Sequence, residues 1–246
     1  VRGRLLVHLT AEEADKEVLL PLLRTLGERY PAGGKGEVRF RLVEDIRREG
    51  FRSASRVNYV ARVGNFRTGG FRYTGALRIA QTMLSYGYLW NEIRSKGGAY
   101  GCSVRFGRGG NVVFSSYRDP KLEATDKVYE GTPAYLEHYE ADEREMTKAI
   151  IGAIGEMDTP RSVQMSGQLA LAAYYSKVTD EMLSAERREV LTATPADIRA
   201  LAPLVREALR YEAKCVIGNE SAIERAEDFF TEIPQLFAKE SEETEA

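Results

Sequence analysis

The clearest signal in the chain is a change of period. VNYVARVGNF, following Arg56, sets Val57, Tyr59, Ala61 and Val63 on one face, which predicts a strand over 57–65. After the Arg67-Thr68-Gly69-Gly70 loop the apolar spacing lengthens to Leu77, Ala80, Leu84, Leu89 and Ile93. That spacing predicts a long helix from a cap at Thr74 to about Ser95. Two further alternating runs, AYGCSVRF and NVVFSSYR, flank Gly107-Arg108-Gly109-Gly110 and read as a hairpin.

Upstream, RLLVHLT (4–10) reads as a short strand, and Thr10-Ala11-Glu12-Glu13 has the capping-box spacing that opens a helix. Val18, Leu19, Leu22, Leu23 and Leu26 carry that helix to Tyr30, with Pro21 marking a kink or a later start. PAGGKG (31–36) is a break, and the arginine-rich stretch that follows, 37–56, reads as strand or loop.

Beyond Asp119-Pro120 the periodicity predicts helices over 121–138, 142–156, 161–175, 179–190 and 195–209. Asp142 and Thr179 are expected caps, and Pro195 occupies a first-turn position behind Thr194. KCVIGN (214–219) is one returning strand, and Ser221 opens a last helix. Strands, then several helices, then a returning strand predict an α+β fold. Its mixed, largely antiparallel sheet is expected to hold 4–10, 57–65, 98–106, 111–118 and 213–218, with helices packed on one face. One domain over 1–240 and a disordered acidic tail over 241–246 complete the expectation.

Composition narrows the function classes. The 246 residues carry 35 basic and 37 acidic side chains, a net charge of −2, so no strong field marks nucleic acid or an anionic membrane as partner. No apolar run approaches the roughly 20 residues needed to span a bilayer. The arginine-rich usage fits a bacterial protein. Cys102 and Cys215 stand too far apart for a Cys-x-x-Cys metal site and read as buried thiols in strand-like runs.

His8 and His138 are the two histidines, far apart in sequence. A zinc peptidase helix, H-E-x-x-H or its inverse H-x-x-E-H, needs two histidines on one face, so this chain cannot hold that site. No local motif points to a serine or cysteine nucleophile with its base. The glycine-rich run 107–110 joins two strands with no helix after it to cradle phosphate.

What remains is LWNEIRSKGGAYG (89–101). Arg94 falls in the last turn of its helix, Gly97 can adopt the left-handed conformation that ends it, and Gly98 lets another backbone approach. Tyr100 follows at once. A guanidinium and a phenol converging from a helix end and a strand start can both donate to one peptide carbonyl, or to an oxyanion forming there. The alternative is structural: Tyr100, Cys102, Val104 and Phe106 alternate, so Tyr100 can equally begin a core row.

The order of VNYVARVGNF, LWNEIRSKGGAYG, SSYRDPKL, YEGTPAYL and TKAIIGAIGEMDTP resembles the C-terminal domain of the presequence protease family. That family belongs to the pitrilysin/insulinase group of zinc metallopeptidases, and the likeness runs from about Arg4 to Phe237. It implies four related α+β domains in two halves closing around an unfolded peptide, without ATP. The zinc site lies in the first domain, and an arginine and a tyrosine from the last reach the cleavage site. By motif these are Arg94 and Tyr100, with Gly97 and Gly98 between them. The resemblance also implies that zinc sits in an N-terminal half absent from this chain. The chain alone is then expected to be inactive, with unstructured peptides and that catalytic half as partners. Self-association through the face left bare is a further expectation. The runner-up is a non-catalytic scaffold or partner subunit of the same family.

Overall fold

The computed structural model describes residues 5–30, 45 and 47–234. The glycine break at 31–36, residues 37–44 and 46 of the arginine-rich stretch, and the expected acidic tail lie outside them. Packing gathers the chain into two compact units, Val1–Glu44 with Thr159–Leu183, and Asp45–Asp158 with Ser184–Ala246.

The second unit carries the sheet. Its strands are β1 (Arg48–Ser53), β2 (Asn58–Asn65), β3 (Gly101–Phe106), β4 (Asn111–Asp119) and β5 (Ala213–Asn219), in the order β1-β5-β2-β4-β3. β1 runs parallel to β5 and every other pairing is antiparallel. The period of two decides the faces. Val60, Arg62, Val104, Phe106, Val112, Phe114 and Val216 are buried under helices, whereas Tyr59, Val63, Tyr117 and Ile217 are exposed on the other side.

The cover on the buried face comes from α2 (Ala76–Met83), α3 (Glu123–Glu137), α4 (Glu143–Met157), the latter part of α6 (Asp180–Leu191), α7 (Pro195–Arg199) and α8 (Ala202–Leu209). Leu77, Ala80, Leu84, Leu89 and Ile93, the periodic residues of the first of these, are all sealed in the core. α4 opens on a full capping box between Asp142 and Glu145, and α7 on one between Thr194 and Asp197. A short α9 (Glu220–Arg225), capped by Asn219 rather than opened by Ser221, follows β5. The α+β architecture, with a mixed and largely antiparallel sheet and helices on one face, is as the sequence predicts.

Several local expectations are corrected. The 4–10 run is not a strand over its described residues 5–10. The place beside β5 is taken by β1, whose polar sequence hides it because it is an edge strand, held on its outer side by Gly50 N–H to Glu232 O at 3.0 Å. In the first unit Thr10 does not cap α1 (Glu13–Arg29), whose N-cap is Glu12. Its hydroxyl instead packs on Gly167 of α5 (Val163–Ser176), where a Cβ would come within 2.0 Å of it. Thr74 does not cap α2. The free N–H of Gly75 there is met by the Glu189 carboxylate at 2.6 Å. The 195–209 helix is two helices, because Pro203 has no N–H with which to continue α7 into α8.

Candidate functional site

The helix that begins as α2 does not keep its pitch. From Leu84 to Tyr88 and again from Trp90 to Ser95 it widens into π-type turns, with Lys96 N–H donating to Asn91 O at 3.0 Å, five residues back. Such widenings are uncommon and recur at functional sites. Here the second one stacks Trp90 and Arg94, placing the guanidinium carbon 4.0 Å from the indole centroid.

The glycine pair then reverses the chain, with the two roles exchanged relative to expectation. Gly98 is the left-handed residue, at φ 87°, and Gly97 makes the close approach. A Cβ on Gly97 would lie 2.2 Å from the carbonyl oxygen of Ile93. Gly98 N–H donates to Arg94 O at 2.9 Å and Ala99 N–H to Ile93 O at 3.1 Å, so the last helical carbonyls are satisfied by the turn itself.

Tyr100 leaves this turn pointing outward. It is 57% exposed and does not begin the core row, which starts with half-buried Cys102 and continues with Val104 and Phe106. Its N–H donates to Arg118 O at 3.3 Å, and its ring meets the Tyr117 ring edge-on at 5.4 Å. The structure brings Arg94 and Tyr100 together, with the guanidinium carbon 5.6 Å from the phenol ring centroid. A second cation, Arg118, stands 5.7 Å from the same centroid.

Acids stand near this cluster, with Glu92 on the same helix and Glu156 in the lining of the adjoining cleft. Among the described residues neither Arg94 nor Arg118 forms an ion pair, although Arg94 is half-buried. Glu92, on the same helix, is engaged by Lys96 at 2.6 Å. Burial pushes the Cys102 thiol up to about 11, with Asp119 adding to the rise and Arg94 opposing it. A thiol so placed is a packing group and not a nucleophile.

A cleft of about 380 Å³ adjoins the cluster, lined by Ser85, Trp90, Cys102, Ser103 and Arg105 among others. β3 is an edge strand, yet helix side chains occupy two of its outward amides. Val104 N–H donates to Ser85 Oγ at 3.2 Å and Phe106 N–H to Gln81 Oε1 at 3.3 Å. Those two amides are therefore taken from any strand added along 104–106.

His8 and His138 are both exposed, and His138 Nδ1 contacts its own helix at Ala134 O. No group of three His, Cys, Asp or Glu residues able to hold a metal occurs among the described residues. No helix among them is long and apolar enough to cross a membrane. Trp90 and Arg118 escape sequence reading. The i, i+4 spacing of Trp90 and Arg94 was the signal available for the first, and nothing local marks the second.

The family model described as the PreP C-terminal domain matches residues 48–220, which hold the whole sheet and the Arg94–Tyr100 cluster. The chain is 37% identical to Protein HypA of Clostridium perfringens over 96% of its own length and 24% of that protein. It is 34% identical to Presequence protease 1, chloroplastic/mitochondrial, of Arabidopsis thaliana over 65% of its own length and 15% of that protein. The chain thus spans a quarter or less of these relatives. Among solved structures, an inactive domain of a peptidase M16 from Pseudomonas fluorescens superposes with a TM-score of 0.55 at 15% identity, over 85% of this chain and 51% of that one. That likeness concerns fold alone. With its sheet, its site-bearing turn and most of its helices inside the matched region, the chain belongs to the PreP C-terminal domain family.

Proposed function

We propose that this chain is the substrate-binding C-terminal domain of a longer zinc-dependent oligopeptidase that degrades short unstructured peptides in a closed chamber without ATP. Its two compact units act in that reading as one C-terminal domain. The observation that carries it is the Arg94–Tyr100 pair, an exposed phenol beside a half-buried guanidinium with no ion-pair partner among the described residues. Both are hydrogen-bond donors at neutral pH, so both can hold a peptide carbonyl and stabilise the oxyanion that forms there. Gly97 and Gly98 serve the pair by setting the turn between them. The zinc and its water belong to an N-terminal half, since nothing in this pair generates a nucleophile.

The test is made on the longer polypeptide. Tyr100→Phe and Arg94→Ala should each lower turnover of an unstructured peptide while leaving the fold intact, and the 246-residue chain alone should cleave nothing and hold no stoichiometric zinc. Unchanged turnover in both variants would end the clamp reading, and no turnover by the unsubstituted polypeptide would leave the non-catalytic scaffold in its place.

A further inference from the structure

We infer that Arg94 and Arg118, gathered on the Tyr100 ring, form a carboxylate-binding subsite beside the position where Tyr100 holds a peptide. The inference rests on the clamp reading above and adds a preference to it. A neutral peptide carbonyl is satisfied by one or two donors. Two guanidinium groups on one ring exceed that need, and an anion on the ligand is what they lack.

Arg118 is an exposed residue on a firmly held backbone. Its backbone is held at φ 49°, a left-handed conformation that costs a non-glycine residue free energy and persists only where its surroundings enforce it. The enforcement is visible on both sides. Tyr100 N–H bonds its carbonyl. The next residue, Asp119, is fully buried: its carboxylate accepts from Ser116 Oγ at 2.7 Å, Thr125 Oγ1 at 2.8 Å and Lys121 N–H at 2.9 Å. Asn58 Nδ2 donates to the Asp119 carbonyl at 3.0 Å. These bonds fix the turn and direct the Asp119 carboxylate onto neutral donors, and the Arg118 guanidinium, beside Tyr100, forms no ion pair among the described residues. Glu92 is taken by Lys96.

A carboxylate can reach the subsite as a peptide's C-terminus or as an Asp or Glu side chain. The chemistry is shared, and the two sources are separable by synthesis.

Trp90 supplies the assay. It is the only tryptophan of the sequence and lies against Arg94, so its fluorescence reports occupancy of the cluster. The 246-residue chain is titrated with one unstructured peptide in three forms: free acid, C-terminal amide, and free acid with its single Glu changed to Gln. One neutralised form should bind about fivefold more weakly than the free acid, the order expected of a solvent-accessible ion pair, and the gap should narrow with added salt. Loss on amidation identifies the terminal carboxylate, and loss on the Glu change the side chain. Arg118→Gln should bind all three forms alike. Equal binding of the three forms by the unsubstituted chain, a preference that survives Arg118→Gln, or no Trp90 response to any form would each overturn the subsite. The underlying clamp fails separately, if Arg94→Ala and Tyr100→Phe leave unchanged the affinity for the same peptide with both its terminal carboxylate and its Glu neutralised.

Discussion

Arg94 lies with its guanidinium carbon 4.0 Å from the ring centre of Trp90, four residues earlier on the same widened helix. The stacking orients a side chain with four rotatable bonds and leaves its N–H groups free to donate outward. Trp90→Leu keeps an apolar residue but removes the π face. Peptide affinity or turnover should fall about two- to fivefold, the worth of a partly exposed cation–π contact. Steady-state kinetics on the longer polypeptide read this directly. No loss at all would mean that Arg94 needs no support to act.

Tyr100→Phe removes one donor while keeping the ring, its edge contact with Tyr117 and its exposure. Turnover should fall by ~10²–10³, as when one oxyanion donor is lost, with denaturation midpoints unmoved. Arg94→Ala should do similar damage, and the double variant should cost much less than the sum, because the two act on one oxygen. Strict additivity would show that they serve separate steps.

Arg118→Gly relieves a left-handed backbone. Stability should hold or rise by up to about 1 kcal/mol while any preference for a carboxylate is lost. Urea unfolding beside the fluorescence titration separates the two effects. A marked loss of stability would make Arg118 a structural residue.

Beneath the sheet, Asp126 receives Arg62 at 3.0 Å and Lys214 at 2.6 Å, all three buried between β2, β5 and α3. Arg62 also reaches the partly exposed Glu130 at 2.8 Å and the Leu209 carbonyl at 2.9 Å. Asp126→Asn leaves two buried cations without their shared carboxylate and should cost about 3 kcal/mol. Replacing Arg62, Asp126 and Lys214 together by apolar residues should recover much of that loss. A single variant as stable as the parent protein would show that Glu130 alone suffices.

Much of this was legible because local rules and tertiary needs agree. The Asp142 and Thr179 caps, the hairpin and the period of α2 each follow from side chains whose local preference the fold uses. β1 was legible only as strand or loop, because Arg48–Ser53 is largely polar and pairs with residues more than 160 positions away, information no short window holds. Leu5–Val7 has the opposite fault, β-type residues with no ladder to join. At the site, the spacing of Arg94, the glycines and Tyr100 was readable, whereas the exchange of glycine roles depends on where the Ile93 carbonyl points. Arg118 depends on a backbone conformation set by Asn58 and Asp119, far apart in sequence, so composition and spacing could not mark it.

The buried carboxylate of Glu186 ties α6 to the sheet and should show in acid. It accepts from Arg78, from Arg108 and from the Tyr73 hydroxyl at 3.2 Å. Burial alone would push its pKa up, but the hydrogen bonds and charges of Arg78 and Arg108 together outweigh that and hold it below the ordinary value of 4.5. A carboxyl whose folded pKa is depressed contributes stability that is complete above its unfolded value and is lost as pH falls through the folded one. Glu186→Gln should therefore cost about 2 kcal/mol at pH 7, less than a sealed pair because both arginines reach solvent. The difference between the two proteins should shrink steadily below pH 4.5. Tyr73 marks the other end: burial, opposed by Arg78, pushes its phenol up to about 12. A raised folded pKa contributes stability below the unfolded value of 10.0 that is lost as pH climbs toward the folded one, and Tyr73→Phe should remove that alkaline loss. Urea unfolding of the three proteins from pH 3 to 11 decides it, and a Glu186→Gln difference that stays constant with pH would show that the carboxylate is not held ionised by its two arginines.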